Sequence, residues 1–390
     1  MSTSAENVQA LSGSPSTLRR ARIAVTALFV AFGVNVGMWA AHIPVVKDRL
    51  AIDPATLGLA LLAAAFGTIV SQPALGMLMA RTGSRPAAMV FPALAAIGMG
   101  AVISSPSLPL LFVFCFLVGA SWGGCNVAMN TQAGEVEAAR SRPTMSSFHA
   151  GFSIGSLAGT ALGGLLIGAG WGNGLGAAAV AAANVLVVLI AIPSLLASQP
   201  TPGGSVFVAP NRALIGLGVL AFLAFLVEGG MVDWSGVLLA VEKGANPAWA
   251  AAGFGCFTAM MALGRIVGNS AAERLGRRTL LIGGGTLIAL GILVAVLSPW
   301  TLLSIAGLAI VGLGASNIVP ILMSAAAQTP GMAPSVAIGS VATMLLAGFL
   351  VGPPLIGFVS NASSLNVGFG LLAIPGAVVV IAGFARSWPK

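Results

Sequence analysis

Charge is scarce in this chain. Only 7% of its 390 residues are charged, 57% are hydrophobic, and the mean hydropathy is +1.02. A soluble domain carries about 25% charged residues. A globule dissolved in water is therefore excluded, and lipid must be the solvent for most of the chain. Acids are scarcest, with 9 Asp and Glu against 17 Lys and Arg. Cysteines number 3, Cys115, Cys125 and Cys256, all in apolar stretches. None is placed for a disulfide or a metal site, so packing is their expected role. HExxH, GxSxG and Walker sequences are missing, and no carboxylate pair falls at a plausible membrane face. These absences argue against an enzyme and against a resident metal or cofactor.

What is present is a series of apolar segments of membrane-crossing length. A helix rises about 1.5 Å per residue, so a ~30 Å hydrocarbon core needs about 20 residues. Such segments occur at 23–43, 56–79, 87–105, 108–131, 147–169, 174–196, 213–233, 248–270, 279–298, 301–324, 335–357 and 365–385. They are too long for barrel strands and do not alternate. The expected fold is an all-α membrane protein of twelve transmembrane helices. The 52 glycines suit helices packed through small-residue faces.

The net charge of +8 is a topology signal. Arg19, Arg20, Arg22, Arg81, Arg85, Arg140, Arg142, Arg212, Arg274, Arg277, Arg278, Arg386 and Lys390 fall on one side of a twelve-helix arrangement. Lys47, Arg49 and Lys243 fall on the other, and Arg265 lies within a span. The positive-inside rule then places both termini in the cytoplasm of a bacterial inner-membrane protein. No nucleic-acid partner is implied. The basic start resembles a signal peptide, but its apolar stretch is too long, and it reads as a retained anchor. Trp171, Trp234, Trp249 and Trp300 fall at outer ends as an interfacial belt, with Trp388 its inner counterpart.

Residues 198–212 (SQPTPGGSVFVAPNR) break the chain into two sets of six helices. The expected organisation is a disordered cytoplasmic tail over 1–21, an N-terminal bundle over 22–197, a linker over 198–212 and a C-terminal bundle over 213–390. The halves are alike. Ala80-Arg-Thr-Gly-Ser-Arg85 after helix two matches Glu273-Arg-Leu-Gly-Arg-Arg278 after helix eight. Gly155, Gly159 and Gly163 in helix five match Gly348 and Gly352 in helix eleven. Paired six-helix halves are the plan of alternating-access transporters, with the site between them near the midplane.

At Gly76-Met-Leu-Met-Ala-Arg-Thr-Gly-Ser-Arg85 the sequence resembles the signature loop of the major facilitator superfamily, G-x-L-A-D-R-x-G-R-R. Gly119-Ala-Ser-Trp-Gly-Gly, Phe148-His-Ala-Gly-Phe-Ser, Glu228-Gly-Gly-Met-Val-Asp-Trp234 and Val351-Gly-Pro-Pro-Leu-Ile-Gly357 resemble its MosC-like bacterial branch, itself similar to fucose permeases. The resemblance implies a monomeric secondary transporter. It also implies a cytoplasmic gate at Arg81, Gly83, Arg85, Glu273, Arg274, Gly276, Arg277 and Arg278. Ala80 stands where the signature has an acid, so the second copy is expected to carry more of that gate.

Ionisable groups inside a membrane are costly, so those present point to function. Glu228 lies about 22 Å along helix seven by helical rise. It is the expected proton-coupling or substrate-binding acid, because a carboxyl there can take and release a proton. Asp233, one turn further out, is expected near water, as a second coupling residue or outer gate. Arg265 falls about 17 Å of depth from Glu228 by the same rise. That distance rejects a pair and suggests a cytoplasmic gate instead. Asn35, Trp39 and His42 share one face of helix one, and Trp122, Asn126 and Asn130 one face of helix four. Helix five adds His149, Ser153, Ser156 and Thr160, and helix ten adds Asn317. The resemblance makes helices one, four, seven and ten the cavity walls, so Asn35, Trp39, His42, Trp122, Asn126, Glu228 and Asn317 are candidate substrate ligands. Amides beside flat Trp surface suit a sugar, cyclitol or amino sugar. Each could instead be helix–helix glue.

Fucose permeases keep a helix-one carboxylate that this chain lacks, so proton coupling by that scheme does not carry over. The leading expectation is a proton-linked transporter of a small polar solute. The alternative is a proton-driven exporter of drugs or metabolites, and a third class is a transport-dead sensor or lipid translocase. Pro320, Pro353 and Pro354 mark expected kinks.

Overall fold

The computed structural model describes residues 14–140, 144–172, 174–197, 211–332 and 334–385. Arg142, Arg386, Trp388, Lys390, most of the 1–21 tail and most of the 198–212 linker lie outside the described residues. Among the described residues, twelve helices are long and apolar enough to cross a membrane. They are α1 (Pro15–Arg49), α2 (Pro54–Thr82), α3 (Ser84–Ile103), α4 (Leu108–Arg140), α5 (Met145–Gly168) and α6 (Gly174–Ala191) in one bundle. The second bundle holds α7 (Ile215–Lys243), α8 (Pro247–Leu275), α9 (Arg277–Leu297), α10 (Thr301–Ala327), α11 (Pro334–Ala362) and α12 (Leu365–Ala385).

Local chemistry starts these helices where the sequence says. Ser14, Asp53 and Asn246 each accept a backbone N–H of the first turn, and each is followed by a proline, which has no N–H to lose there. Burial pattern then decides packing. Leu175, Ile266 and Leu297 are exposed apolar side chains of a lipid-facing surface, while small residues let helices close on one another inside each bundle. A methyl on Gly155 of α5 would collide with the Val30 carbonyl of α1, and one on Gly348 of α11 with the Phe222 carbonyl of α7.

The two bundles repeat one design in detail. Gly83 (φ 77°) and Gly276 (φ 78°) take the left-handed region that only glycine enters freely, each donating its N–H into the preceding turn, to Met79 and Ala272. Arg85 then donates to the Ile192 carbonyl at the end of α6 (3.5 Å), and Arg278 to the Gly383 carbonyl near the end of α12 (3.1 Å). At the opposite membrane face, Arg49 donates to the Ser105 carbonyl after α3 (3.0 Å) and Lys243 to the Val296 carbonyl of α9 (2.9 Å). One chain spacing separates Gly83 from Gly276, Arg85 from Arg278, Gly155 from Gly348 and Gly159 from Gly352. The same spacing maps Asn35 onto Glu228 and Gln72 onto Arg265.

The bundles meet along a seam sealed at the face away from the signature loops. A methyl on Gly58 of α2 would stand 2.8 Å from the Pro353 carbonyl of α11, and one on Gly357 of α11 would stand 2.6 Å from the Pro54 carbonyl. Gly236 of α7 faces the Ala40 carbonyl of α1, and Gly164 of α5 faces Ala248 and Ala251 of α8. The seal is thus a close contact of small residues with facing backbone.

Several helices run past the spans read from the sequence: α4 ends at Arg140, α7 at Lys243 and α8 at Leu275. Helix α7 runs on to Lys243 instead of ending near 233. This buries Asp233 (5% exposed), expected near water, and Trp234 (0%), expected in the interfacial belt; Trp171, Trp249 and Trp300 are exposed as that belt requires. At the expected kink in helix ten, α10 breaks at Ser316–Asn317, one turn ahead of Pro320, and α11 carries Pro353 and Pro354 inside one helix.

Candidate functional site

A cavity of about 190 Å³ opens in the seam. Helix α8 contributes Phe254, Phe257, Thr258, Met261 and Arg265, which recur at helical spacing and so form one face. Helix α7 contributes Phe225, Glu228, Gly229 and Val232 by the same periodicity. Phe152, Ser153 and Ser156 of α5, Val36 of α1 and Phe349 of α11 complete the wall. The lining thus draws on both bundles. Its body is a cage of five phenylalanines, and its charge is one carboxylate and one guanidinium.

Arg265 Nη2 stands 3.9 Å from Glu228 Oε1, with side chains 35% and 18% exposed. The structure therefore corrects the rejection of this pair. A count inward from residue 248 across a ~30 Å core leaves Arg265 near the cytoplasmic boundary, but α8 continues to Leu275. Counted from the signature-loop ends of their helices, Glu228 and Arg265 differ by only about 5 Å at 1.5 Å per residue, well within arginine's reach.

Proline chemistry fixes the arginine. A proline ring excludes the carbonyl four residues earlier from the helix ladder, and for Pro320 that carbonyl belongs to Ser316. Arg265 Nε donates to this Ser316 oxygen at 3.4 Å. Asn317 Nδ2 donates to the Gly264 carbonyl at 3.0 Å and to Ser316 Oγ at 2.9 Å. Asn317, expected on the cavity wall, instead clamps the α10 break to α8 beside Arg265. The pair itself is loose. At 3.9 Å it exceeds hydrogen-bond length, and Glu228 Oε1 is buried without a hydrogen bond. At an effective dielectric of ~20, charges about 4 Å apart attract by about 4 kcal/mol.

The other candidates divide. Asn35 is buried and donates to the Ala31 carbonyl of its own helix (3.1 Å). His42 is fully buried, with Nδ1 2.8 Å from the Met38 carbonyl and Nε2 unpartnered. Trp39 is buried in α1. Trp122 of α4 packs edge-on to Phe32 (6.1 Å), which packs on Phe152 of the cavity wall (5.6 Å), and its buried Nε1 has no partner. Asn126 is exposed and accepts from Asn130 at 2.7 Å. Neither Asn126 nor His42 lines the seam cavity.

Of the signature-loop residues, Arg81, Glu273 and Arg274 are exposed, Arg277 has a buried Nη1 without a hydrogen bond, and Gly83 and Gly276 make the two turns. Arg85 and Arg278 act within their own bundles in this conformation, as described above. Sequence reasoning missed a polar knot beside the first loop. Gln132 Nε2 donates to Ser84 Oγ (2.7 Å), Glu135 (3.0 Å) and the Leu196 carbonyl (3.1 Å), while Ser84 donates to Glu135 (3.0 Å). It also missed Glu137, which accepts from the Thr144 and Met145 amides at the start of α5, and the phenylalanine cage, whose signal was the repeat of Phe254, Phe257 and Met261 along α8.

The family model described as the Major Facilitator Superfamily matches residues 23–268. This chain belongs to the major facilitator superfamily. An MFS-type transporter of Yersinia pestis, whose own name calls it uncharacterised, is 34% identical over 93% of this chain and 94% of its own. Membrane protein MosC of Rhizobium meliloti is 29% identical over 93% and 89%. Among solved structures, a bacterial homolog of the human lysosomal transporter Spinster, inward-facing and unoccupied, superposes with TM-score 0.77 at 14% identity, covering 95% of this chain and 97% of that one. A D-xylose-proton symporter superposes with TM-score 0.69 at 14% identity, covering 93% and 97%. At these identities the structures speak for the fold. The superfamily and its relatives make this chain a multi-pass transmembrane transporter.

Proposed function

We propose that this superfamily member is a proton-coupled secondary transporter of a small solute, bound in the phenylalanine cage and released by rocking of the two bundles. The observation that carries the reading is the loose Glu228–Arg265 pair in a cavity walled by both bundles. A carboxylate in that position holds Arg265 while it is ionised and lets it go once protonated or occupied by ligand. Either event alters the contact between α7 and α8, beside the α5 and α1 walls of the other bundle. The arginine distribution supports a cytoplasmic signature-loop face. The sealed seam at the other face then makes this conformation inward-facing, with the small-residue seal as the outer gate. In the outward-facing state the signature loops would close the cytoplasmic side. Glu273 would then be the acidic partner that Ala80 cannot be.

Expectation and geometry differ on the solute. The sugar-like reading rested on amides, and Asn126 and Asn317 stand off the cavity wall. Five phenyl rings favour a solute with an apolar body. The same rings favour export of an amphipathic compound as the second reading. The test is purified protein in vesicles containing a pH-sensitive dye, with a pH gradient imposed and solutes added by class: sugars, cyclitols, amino acids, amines. One class should collapse the gradient in wild type and fail to do so in Glu228→Gln, and the vesicle side from which it acts separates uptake from export. Solute-driven proton movement that is equal in Glu228→Gln would remove Glu228 from coupling.

A further inference from the structure

The cavity's polar inventory narrows the ligand further, granted that this cavity is the transport site as proposed above. Ser153 and Ser156 spend their hydroxyl protons on the His149 and Gly33 carbonyls (3.2 and 3.3 Å). Arg265 commits Nε to Ser316. The groups left to greet a ligand are the Glu228 carboxylate, whose Oε1 is buried and unbonded, the terminal nitrogens of Arg265 and the single hydroxyl of Thr258. A polyol carries a hydroxyl on nearly every carbon, and most would face phenyl rings with no partner, each at a desolvation cost. Size agrees with something smaller and oilier. An apolar cavity of ~150 Å³ takes a benzene molecule, so a cavity near 190 Å³ suits about six to ten heavy atoms.

Charge balance decides the head group. Glu228 and Arg265 together are neutral. A lone cation or a lone anion placed between them leaves one uncompensated charge in the membrane interior, where it is strongly penalised. A ligand carrying both signs replaces one long contact of 3.9 Å with two charge-assisted hydrogen bonds and adds no net charge. The gap is also wide enough that such a ligand breaks no hydrogen bond on entry.

We infer that the ligand is a small zwitterion with an apolar side chain, its ammonium on Glu228, its carboxylate on Arg265 and its side chain among the phenyl rings. L-leucine has this form. Two analogues dissect it: isoamylamine lacks the carboxylate, and 4-methylpentanoate lacks the ammonium.

The test is ligand-dependent thermal stabilisation and calorimetric binding of the purified full chain with L-leucine, L-valine, isoamylamine, 4-methylpentanoate and myo-inositol. At least one zwitterion should bind, and each single-charge analogue should bind weaker by about tenfold or more, because it leaves a built partner unpaired. Single substitutions in the pair can fail to fold, so the companion variant is the uncharged double Glu228→Gln/Arg265→Met, which leaves no orphan charge. It should elute as a monodisperse peak and lose zwitterion binding by the same factor. Isoamylamine binding as well as L-leucine, or myo-inositol binding where no zwitterion does, overturns the inference. No shift with either zwitterion, while the vesicle assay still shows proton movement driven by another class, overturns the inference and leaves the transport reading standing. Zwitterion binding with no proton movement in vesicles sinks proton-coupled transport and spares the ligand class.

Discussion

The Glu228–Arg265 pair makes a quantitative demand on stability. Charges about 4 Å apart attract by about 4 kcal/mol at an effective dielectric of ~20. With Arg265 35% and Glu228 18% exposed, solvent screening should reduce this to about 2 kcal/mol. Glu228→Gln loses that attraction and leaves Arg265 without its counter-charge, for a total of about 3 kcal/mol. Arg265→Met should cost a similar amount, and the double substitution much less than the two singles together. The unfolding entropy of a chain this long is about 0.8 kcal/mol per kelvin, from ~2.1 cal/mol/K per residue. Each single variant should therefore melt about 3–4 °C lower than wild type, with the double restored to within about 2 °C. Thermal unfolding in detergent, followed by intrinsic tryptophan fluorescence, gives the full cycle. A coupling energy indistinguishable from zero would mean that the pair does not interact in solution, and the proposed holding and release of Arg265 by Glu228 would fall with it.

Other consequences are independent of that pair. Gly58→Val and Gly357→Val should pry the seal between α2 and α11, because even a methyl would meet the facing carbonyls at 2.8 and 2.6 Å. Labelling of a cysteine at Trp234 from the sealed side should rise several-fold, a steric effect of the kind that overpacking produces, and unchanged labelling would contradict the seal. Gly83→Ala and Gly276→Ala, at φ 77° and 78° with extended ψ of 174° and 152°, should each destabilise by about 1–3 kcal/mol, measured by the same melt. Asp53 caps α2, and the Thr56 amide and hydroxyl hold its carboxyl below the usual range. The cap's contribution is thus present above the unfolded carboxyl range near pH 4 and lost as pH falls through the lower folded value. Asp53→Ala should lower stability by about 1 kcal/mol at pH 7 and show no difference from wild type in strong acid.

The number and order of helices were legible because bilayer thickness sets a length that apolar segments either meet or miss. Signature loops, paired glycines and the arginine distribution were legible as local chemistry. Depth was not. Hydropathy marks the lipid-facing length of a helix, whereas α4, α7 and α8 continue past it and end at residues that hydropathy reads as loop. That error separated Glu228 from Arg265 on paper and left Asp233 and Trp234 at the surface. The cavity wall was equally hidden, because phenylalanines on α8 look like any membrane-facing residues until their partners across the seam are known. Asn317 had the residue type of a ligand, but the α10 break made by Pro320 turned it into a clamp.

Rocking of the two bundles about the cavity is most directly tested by paired distance measurements. Spin labels at Arg81→Cys and Arg274→Cys report the signature-loop face, and labels at Trp171→Cys and Trp300→Cys report the other, all four positions being exposed. In a background with Cys115, Cys125 and Cys256 replaced by alanine, pulsed electron resonance across pH should show one distance lengthening as the other shortens. Distances that stay fixed at both faces, or that change in the same sense, would contradict alternating access for this chain.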